Sequence, residues 1–353
     1  MDTFQHLHMP RKFKILLVGK ACIDYISFIT EFPLEGEEKQ YMPRKFKILL
    51  VGKACIDYIS FITEFPLEGE EKQVIEKTFR PGGNCINSSV VLGSLLKRPE
   101  CVYLLSNFST DCSSDDSITY LNRYGVDTTL CPRIDKEIPE SFVFCSVTTG
   151  SRTIVHNASS FPLLGTSPFL ASMEKHAFDW IHFEARNYGE NKEHFSETPL
   201  LKMLQHVIGL RKKRNSLVIS LECEKIRVSK AQSKLLLLIP ADIIFISQQF
   251  ASAFEWKSPE EAVKEAAKLN TYSDFVCTWG ATGCACYSSK RQKCTFVEAK
   301  KIKVLDTLAA GDTFNASFIY NRLLGKEIEE CLEEANALAA KKCQKIGLDN
   351  IYA

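Results

Sequence analysis

The segment Asp306-Thr307-Leu308-Ala309-Ala310-Gly311-Asp312-Thr313 places a carboxylate at the start of a helix, directly after a turn of small residues. Amides at a helix N-terminus lack intrahelical acceptors and carry partial positive charge, so together they form an anion site suited to phosphate. Asp312 beside such a site could take a proton from a hydroxyl while the amides stabilise a transferring phosphoryl group. The alternative is an Asp capping an ordinary helix, a position that Asp favours. A second polar cluster lies far upstream, at Gly82-Gly83-Asn84-Cys85-Ile86-Asn87. Asn84 and Asn87 are three apart and so share a face of an opening helix. The glycines before them let backbone come close to a ligand. A Gly-Gly turn with Asn as helix cap is the other reading. Asp57 follows the apolar run Ile48-Leu49-Leu50-Val51-Gly52 by five residues. That puts it where ligands meet the carboxyl ends of parallel strands.

The elements that must position these residues alternate. Short apolar runs predict strands at Val102 to Leu105, Trp180 to Phe183, Leu217 to Leu221, Ile243 to Ile246 and Phe275 to Thr278. Helical patterns fall between them, at Asn87 to Leu96, Ser117 to Arg123 and Met203 to Leu210. Ser258-Pro259-Glu260-Glu261 reads as an N-cap, a Pro at the first helical position and a Glu three after the cap, opening a helix through Asn270. Strands alternating with helices predict an α/β fold with a doubly wound, mainly parallel sheet covered on both faces. Two regions break the alternation. Ser141 to Val147 and Arg152 to His156 flank Thr148-Thr149-Gly150-Ser151 and read as a hairpin, and the stretch from Ile59 to Phe79 holds no long helix.

Residues Met9 to Gln40 recur unchanged as Met42 to Gln73, separated by Tyr41. A repeat that occurs once is not a solenoid. Each copy carries one strand signal, Ile15 to Gly19 and Ile48 to Gly52, and only one can be the first strand of the sheet. The second copy runs on into Pro81-Gly82-Gly83-Asn84, whereas the first leads only into the second. The expected division is therefore a duplicated segment, 1–41, and a catalytic domain, 42–353. An unpaired first copy would expose an apolar, β-prone stretch.

Bulk properties exclude several partner classes. The 353 residues carry 44 Lys+Arg against 43 Asp+Glu, so no charge excess points to nucleic acid. The basic run Arg211-Lys212-Lys213-Arg214 fits the C-terminal end of a surface helix, where cations are favoured. No apolar run approaches the roughly 20 residues that span a bilayer, and Met1 to Lys14 lacks the apolar core of a secretory signal. The 14 cysteines are scattered without a Cys-x-x-Cys pair, which favours reduced thiols and a cytoplasmic location.

The two polar segments also carry a resemblance. Together with Arg152-Thr153-Ile154-Val155, Trp180 to Asn187, Glu222-Cys223-Glu224-Lys225 and Ala340-Lys341-Lys342-Cys343, in that order along the chain, they resemble the ribokinase-like superfamily of carbohydrate kinases, and most closely its ketohexokinase family. The resemblance runs from about Phe46 to the C-terminus. It implies transfer of a phosphoryl group from ATP to a sugar hydroxyl, with Asp312 as base and Ala309, Ala310, Gly311 and the Asp312 amide as anion hole. It further implies that Asp57, Gly83, Asn84, Asn87 and Asp312 hold the sugar. Arg152 would contact phosphate, Gly280-Ala281-Thr282-Gly283 would form the ATP loop, and Cys343 would lie near the adenine. Segments near 59–80 and 141–157 would form a small β lid over the sugar, and a homodimer joined through that lid is expected.

ATP and Mg2+ are the implied cofactors, with K+ as a further candidate. The superfamily's Asn-x-x-Glu motif is replaced by Ser247-Gln248-Gln249-Phe250, so Mg2+ would ride on ATP and water, with Glu224 as a candidate helper. The family's Gly-Ala-Gly-Asp is here Ala309-Ala310-Gly311-Asp312, and a lid Asp expected near Gly69 is absent, flanked by Glu68 and Glu70. A sibling kinase for another sugar and an impaired nucleotide- or sugar-binding pseudokinase are the rival readings.

Overall fold

The computed structural model describes residues 45–157, 160–186, 197–214, 216–349 and 351, together with the backbone of two short N-terminal strands. The chain divides into a unit of residues 1–45 and a unit of residues 46–353. In the first, Lys14–Ile15 (β1) pairs antiparallel with Phe28–Ile29 (β2). The rest of that copy's strand signal, 16–19, lies outside the described residues.

The second unit opens with Ile48–Val51 (β3), four buried apolar residues in a row, as a strand covered on both faces requires. Cys55–Ile62 (β4) and Glu76–Gly82 (β5) follow, then the helix Asn84–Leu96 (α1). Val102–Leu105 (β6) and Phe108–Ser109 (β7) lead into Cys112–Arg123 (α2). This helix starts before the expected Ser117 because the Asp111 side chain accepts the Ser114 N–H as an N-cap. Val126–Asp127 (β8), Arg133–Ile134 (β9), Glu140–Ser146 (β10), Arg152–His156 (β11) and Thr166–Lys175 (α3) come next. Then come Trp180–Glu184 (β12), Pro199–Arg211 (α4), Val218–Cys223 (β13), Lys230–Leu236 (α5), Ile243–Ser247 (β14) and Gln248–Ala253 (α6).

The chain continues with Pro259–Leu269 (α7), Asp274–Thr278 (β15), Gly283–Ser288 (β16) and Lys293–Glu298 (β17). It closes with Ala310–Leu323 (α8) and Ile328–Cys343 (α9). Ser258 caps α7 through the Glu261 N–H, while the Glu261 carboxylate reaches back to the Lys257 N–H rather than to Ser258.

Nine strands form one sheet in the order β17-β16-β15-β14-β13-β12-β3-β6-β8. From β15 to β8 neighbours run parallel; β16 and β17 are antiparallel at one edge. The chain enters at β3, winds outward through β6 and β8, then returns to β12 and winds the other way. The reversal lies between β3 and β12, and such a switch point opens a crevice at the strands' carboxyl ends. Alternate strand residues, among them Leu49, Ile181, Ile219 and Ile244, pack with Phe169, Leu204, Phe250 and Val263 from α3, α4, α6 and α7. The opposite face meets α8, where Phe245 and Phe318 stand edge to face 5.6 Å apart.

A second sheet, β11-β10-β4-β5, holds the segments expected to form a lid. The hairpin expected at 141–156 is present, closed by Ser146 N–H to Ser151 O at 3.0 Å and Gly150 N–H to Ser146 O at 2.8 Å, with Gly150 at φ 67°. That sheet starts at Cys55, ahead of the expected segment near 59–80, so Asp57, expected just beyond the first strand, lies within β4.

Candidate active site

At the switch point, β3 gives way to Gly52-Lys53-Ala54. The Lys53 N–H donates to Glu184 Oε2 at the end of β12, 3.0 Å away, tying the two central strands together. Gly52 has no room for a side chain, since a Cβ would lie 2.8 Å from the same Glu184 oxygen. On the return from the lid, Gly82 is needed for a parallel reason: a Cβ there would sit 2.3 Å from the Asp57 carboxyl carbon. Gly83, at φ 120°, then caps α1 and presents Asn84 and Asn87 from its first turn.

The second wall is the start of α8. Leu308 N–H donates to Asp306 Oδ1 at 2.8 Å and Ala310 N–H to Thr307 O at 3.2 Å, folding the loop into a tight turn. Ala309 caps the helix in the left-handed region, φ 64° and ψ 15°, where an L-residue pays roughly 1–2 kcal/mol. The carbonyl of Ala309 receives both the amide and the hydroxyl of Thr313, which holds it there. With the Ala310 amide engaged, Gly311 and Asp312 are the first-turn residues whose N–H groups face no carbonyl within the helix.

Between these walls lies a cleft of about 380 Å³. Asp57, Gly83, Asn84, Asn87 and Asp312 line it on the α1 side, and Arg152, Gly280, Ala309, Ala310 and Gly311 line it further along. Ala281, Thr282 and Gly283 form the turn between β15 and β16 and stay out of the cleft lining. Gly283 serves the sheet, because a Cβ there would lie 2.1 Å from Val297 O. Cys343, at the end of α9, is likewise outside the lining, and its carbonyl anchors Leu305 and Asp306.

Asp312 is buried and accepts Asn87 Nδ2 at 2.7 Å, while its carbonyl accepts Ser88 Oγ at 3.2 Å. Burial pushes its carboxyl up to about 7; the Asn87 amide opposes this, the charges of Glu224 and Glu184 add to it, and Arg152 opposes it. A carboxylate tuned there can collect a proton near neutral pH. Glu222 stands on the same floor. Its Oε2 accepts Asn84 Nδ2 at 3.2 Å and its Oε1 accepts Asn315 Nδ2 at 3.0 Å. Burial, then the charge of Asp312, pushes Glu222 well above the usual carboxylate range.

Glu222, Asn315, Arg186 and Lys225 line the cleft but received no role from sequence reasoning. One signal was available: Glu222 is a carboxylate at the end of an otherwise apolar buried strand, which is costly without a purpose. Arg186 bonds Glu184, and Arg227 bonds Glu224, so those two carboxylates are already paired with cations. Ser247, where the superfamily's Asn-x-x-Glu would begin, caps α6 through Phe250 N–H and donates to Glu224 O. Among the described residues no group of three or more His, Cys, Asp or Glu could hold a metal.

The family model for pfkB family carbohydrate kinases matches residues 45–352. Mouse ketohexokinase is 28% identical over 343 residues, spanning 96% of this chain and 98% of its own length. The 2-dehydro-3-deoxygluconokinase of Escherichia coli K12 is 24% identical over 278 residues, 75% of this chain and 88% of its own. Among solved structures, Arabidopsis thaliana ribokinase complexed with ribose and ATP superposes with a TM-score of 0.65 at 20% identity, covering 86% of this chain and 94% of that one. With its family model matched across the whole second unit, this chain belongs to the pfkB family and is an ATP-dependent carbohydrate kinase of ribokinase-like fold.

Proposed function

We propose that the chain phosphorylates a ketohexose, converting fructose to fructose 1-phosphate. The observation that carries this reading is the likeness to mouse ketohexokinase along nearly the full length of both chains. Asp57, Asn84 and Asn87 offer two acceptor oxygens and two amides for sugar hydroxyls. Asp312 takes the proton of the attacking hydroxyl, and Asn87 aims its carboxylate. When bound, ATP supplies the phosphoryl group, with Mg2+ carried on its phosphates. The Gly311 and Asp312 amides, with Arg152, stabilise charge on that group, and the Arg186 and Lys225 cations raise the local positive potential. Gly280 borders the nucleotide end of the cleft.

The lid exposes Phe79 at 59%, Phe142 at 42% and Val155 at 54%, an apolar surface suited to a second copy of the chain. We therefore read the enzyme as a homodimer joined through the lids. The described cysteines are all free, which suits a reducing cytoplasm.

The test is ADP release measured with fructose, ribose and 2-dehydro-3-deoxygluconate, followed by phosphorus NMR of the product. Fastest turnover on fructose with phosphate at C1 is the expected result. Preference for the acid would move the chain to the sibling kinases, and absence of turnover on all three would favour a pseudokinase.

A further inference from the structure

Lys342 is fully buried, at 0% exposure, although Lys is among the residues least often found inside. It sits in the last turn of α9 next to Lys341, where a cation would normally face water and the helix C-terminus. Its ammonium instead turns inward to three oxygens: Asp306 Oδ2 at 2.6 Å, Asp306 O at 2.9 Å and Lys345 O at 3.2 Å. Asp306 is itself only 4% exposed. Burial lowers the Lys342 pKa, and the Asp306 charge and hydrogen bond oppose that drop.

The pair is wired to the phosphate end of the cleft. Asp306 Oδ2 also accepts Gly347 N–H at 3.1 Å, and its Oδ1 accepts Leu308 N–H at 2.8 Å. Leu308 precedes the left-handed Ala309, and α8 starts one residue later. The α9 end and the α8 start are therefore joined through one carboxylate. From the other side, Arg152 Nη1 donates to Thr307 Oγ1. A buried ion pair is a poor source of stability, since desolvation offsets its attraction. A pair retained at this point is better explained by what it holds in place.

We propose that Lys342 is a positioning residue for phosphoryl transfer: its buried ammonium fixes Asp306, which fixes the Leu308-Ala309 turn and so aims the Gly311 and Asp312 amides. The inference rests on the family's phosphoryl transfer and not on the choice of sugar. Loss of the ammonium leaves Asp306 a buried, unpaired charge held by the Leu308 and Gly347 amides alone, and the strained turn loses part of its restraint. Turnover then drops, while sugar affinity, set at Asp57 and α1, stays as it was.

Two variants test this, each assayed with whichever sugar the wild type turns over fastest. Lys342→Ala opens a cavity shaped for a small alkylammonium ion. Its turnover should fall by about tenfold or more, since misplacing one anion-hole donor costs up to 10²–10³. Its sugar KM should stay within about twofold, and ethylammonium should restore turnover where tetramethylammonium, which has no N–H, does not. The double variant Lys342→Met/Asp306→Leu leaves no unpaired buried charge, so its melting point, lowered by the freed Leu308 and Gly347 amides, should stay above that of Lys342→Ala. It should nevertheless be slow and unresponsive to ethylammonium.

The ratio of ATP to ADP affinity should fall in both variants, a measurement that needs no sugar and stands even if the sugar assignment fails. Wild-type turnover in the double variant overturns the proposal. So does a Lys342→Ala defect that ethylammonium leaves unchanged, or an unaltered ATP to ADP ratio.

Discussion

Asn87 Nδ2 donates to Asp312 Oδ2 across 2.7 Å, joining the first turns of two helices that lie 225 positions apart in sequence. One residue is an amide and the other a carboxylate at about its neutral point, so the bond orients Asp312 without protonating it. Replacing Asp312 by Asn should preserve this geometry and remove the base. Turnover should fall by about 10²-fold or more, because base removal costs at least that much. ATP and sugar affinity, measured by calorimetry, should persist; near-normal turnover would rule out Asp312 as the base.

The pH dependence follows from the same carboxyl. With Asp312 pushed up to about 7, turnover should decline as pH falls below that value. Stability runs the opposite way. A folded pKa raised above the unfolded one, here from 3.8 to about 7, means stability is present at low pH and lost as pH rises through that window. The melting-point gain of Asp312→Asn over wild type should therefore be small near pH 4 and larger at pH 8. A constant difference across this range would show that Asp312 titrates normally.

Ala309 occupies backbone suited to glycine, and the two directions of substitution should separate. Ala309→Gly removes roughly 1–2 kcal/mol of strain and gives back about 0.4–1 kcal/mol of unfolded-state entropy. The melting point should stay level or rise by a few degrees. Ala309→Val puts a branched side chain at φ 64° and should lower both the melting point and turnover. A destabilised glycine variant would contradict the strain.

Gly82→Ala probes the sugar side alone. Its Cβ would fall 2.3 Å from the Asp57 carboxyl carbon, so that side chain must move. Sugar KM should rise by about tenfold or more, the loss of a charged hydrogen bond, with ATP KM little changed. Equal rises in both constants would mean that the whole lid has shifted.

A shortened chain beginning at Met42 should melt no lower than the full chain and retain turnover. The second copy's strand Ile48–Val51 is already paired on both edges, to Trp180–Phe183 and to Val102–Leu105. The central sheet therefore has no vacancy for the first copy. A midpoint lower by many degrees would assign that copy a structural role.

Much of this was readable from local pattern. The central strands announce themselves because parallel strands buried on both faces are unbroken apolar runs, as in Ile48–Val51 and Ile243–Ile246. Asp312, Asn84 and Asn87 were legible because turn glycines and a helix start leave a local mark. Asp57 was placed beyond the first strand without its element, since nothing in Lys53-Ala54-Cys55 says that the chain re-enters a sheet. Asn315 was silent, because its meaning lies in a contact with Glu222 across 93 positions, and Glu222 itself left only the mark of a carboxylate ending an apolar run. Lys342 was worse than silent. Beside Lys341 it imitates an ordinary dipole-capping cation, and only the fold reveals Asp306 beneath it.

Asp57 is the third residue of β4, the strand that runs on from the cleft into the lid. A ligand gripping that carboxylate therefore holds one end of a rigid rod whose other end is the lid. Two of the crossings between this sheet and the rest of the unit are Gly52-Lys53-Ala54 on the way out and Gly82-Gly83 on the way back. These two crossings touch: a Cβ on Gly83 would stand 2.1 Å from Lys53 O. Any tilt of the lid swings Asp57 relative to Asp312, which is anchored to the core through α1. A sugar held between those two carboxylates would therefore sense where the second sheet stands, and the distance between them is the gauge.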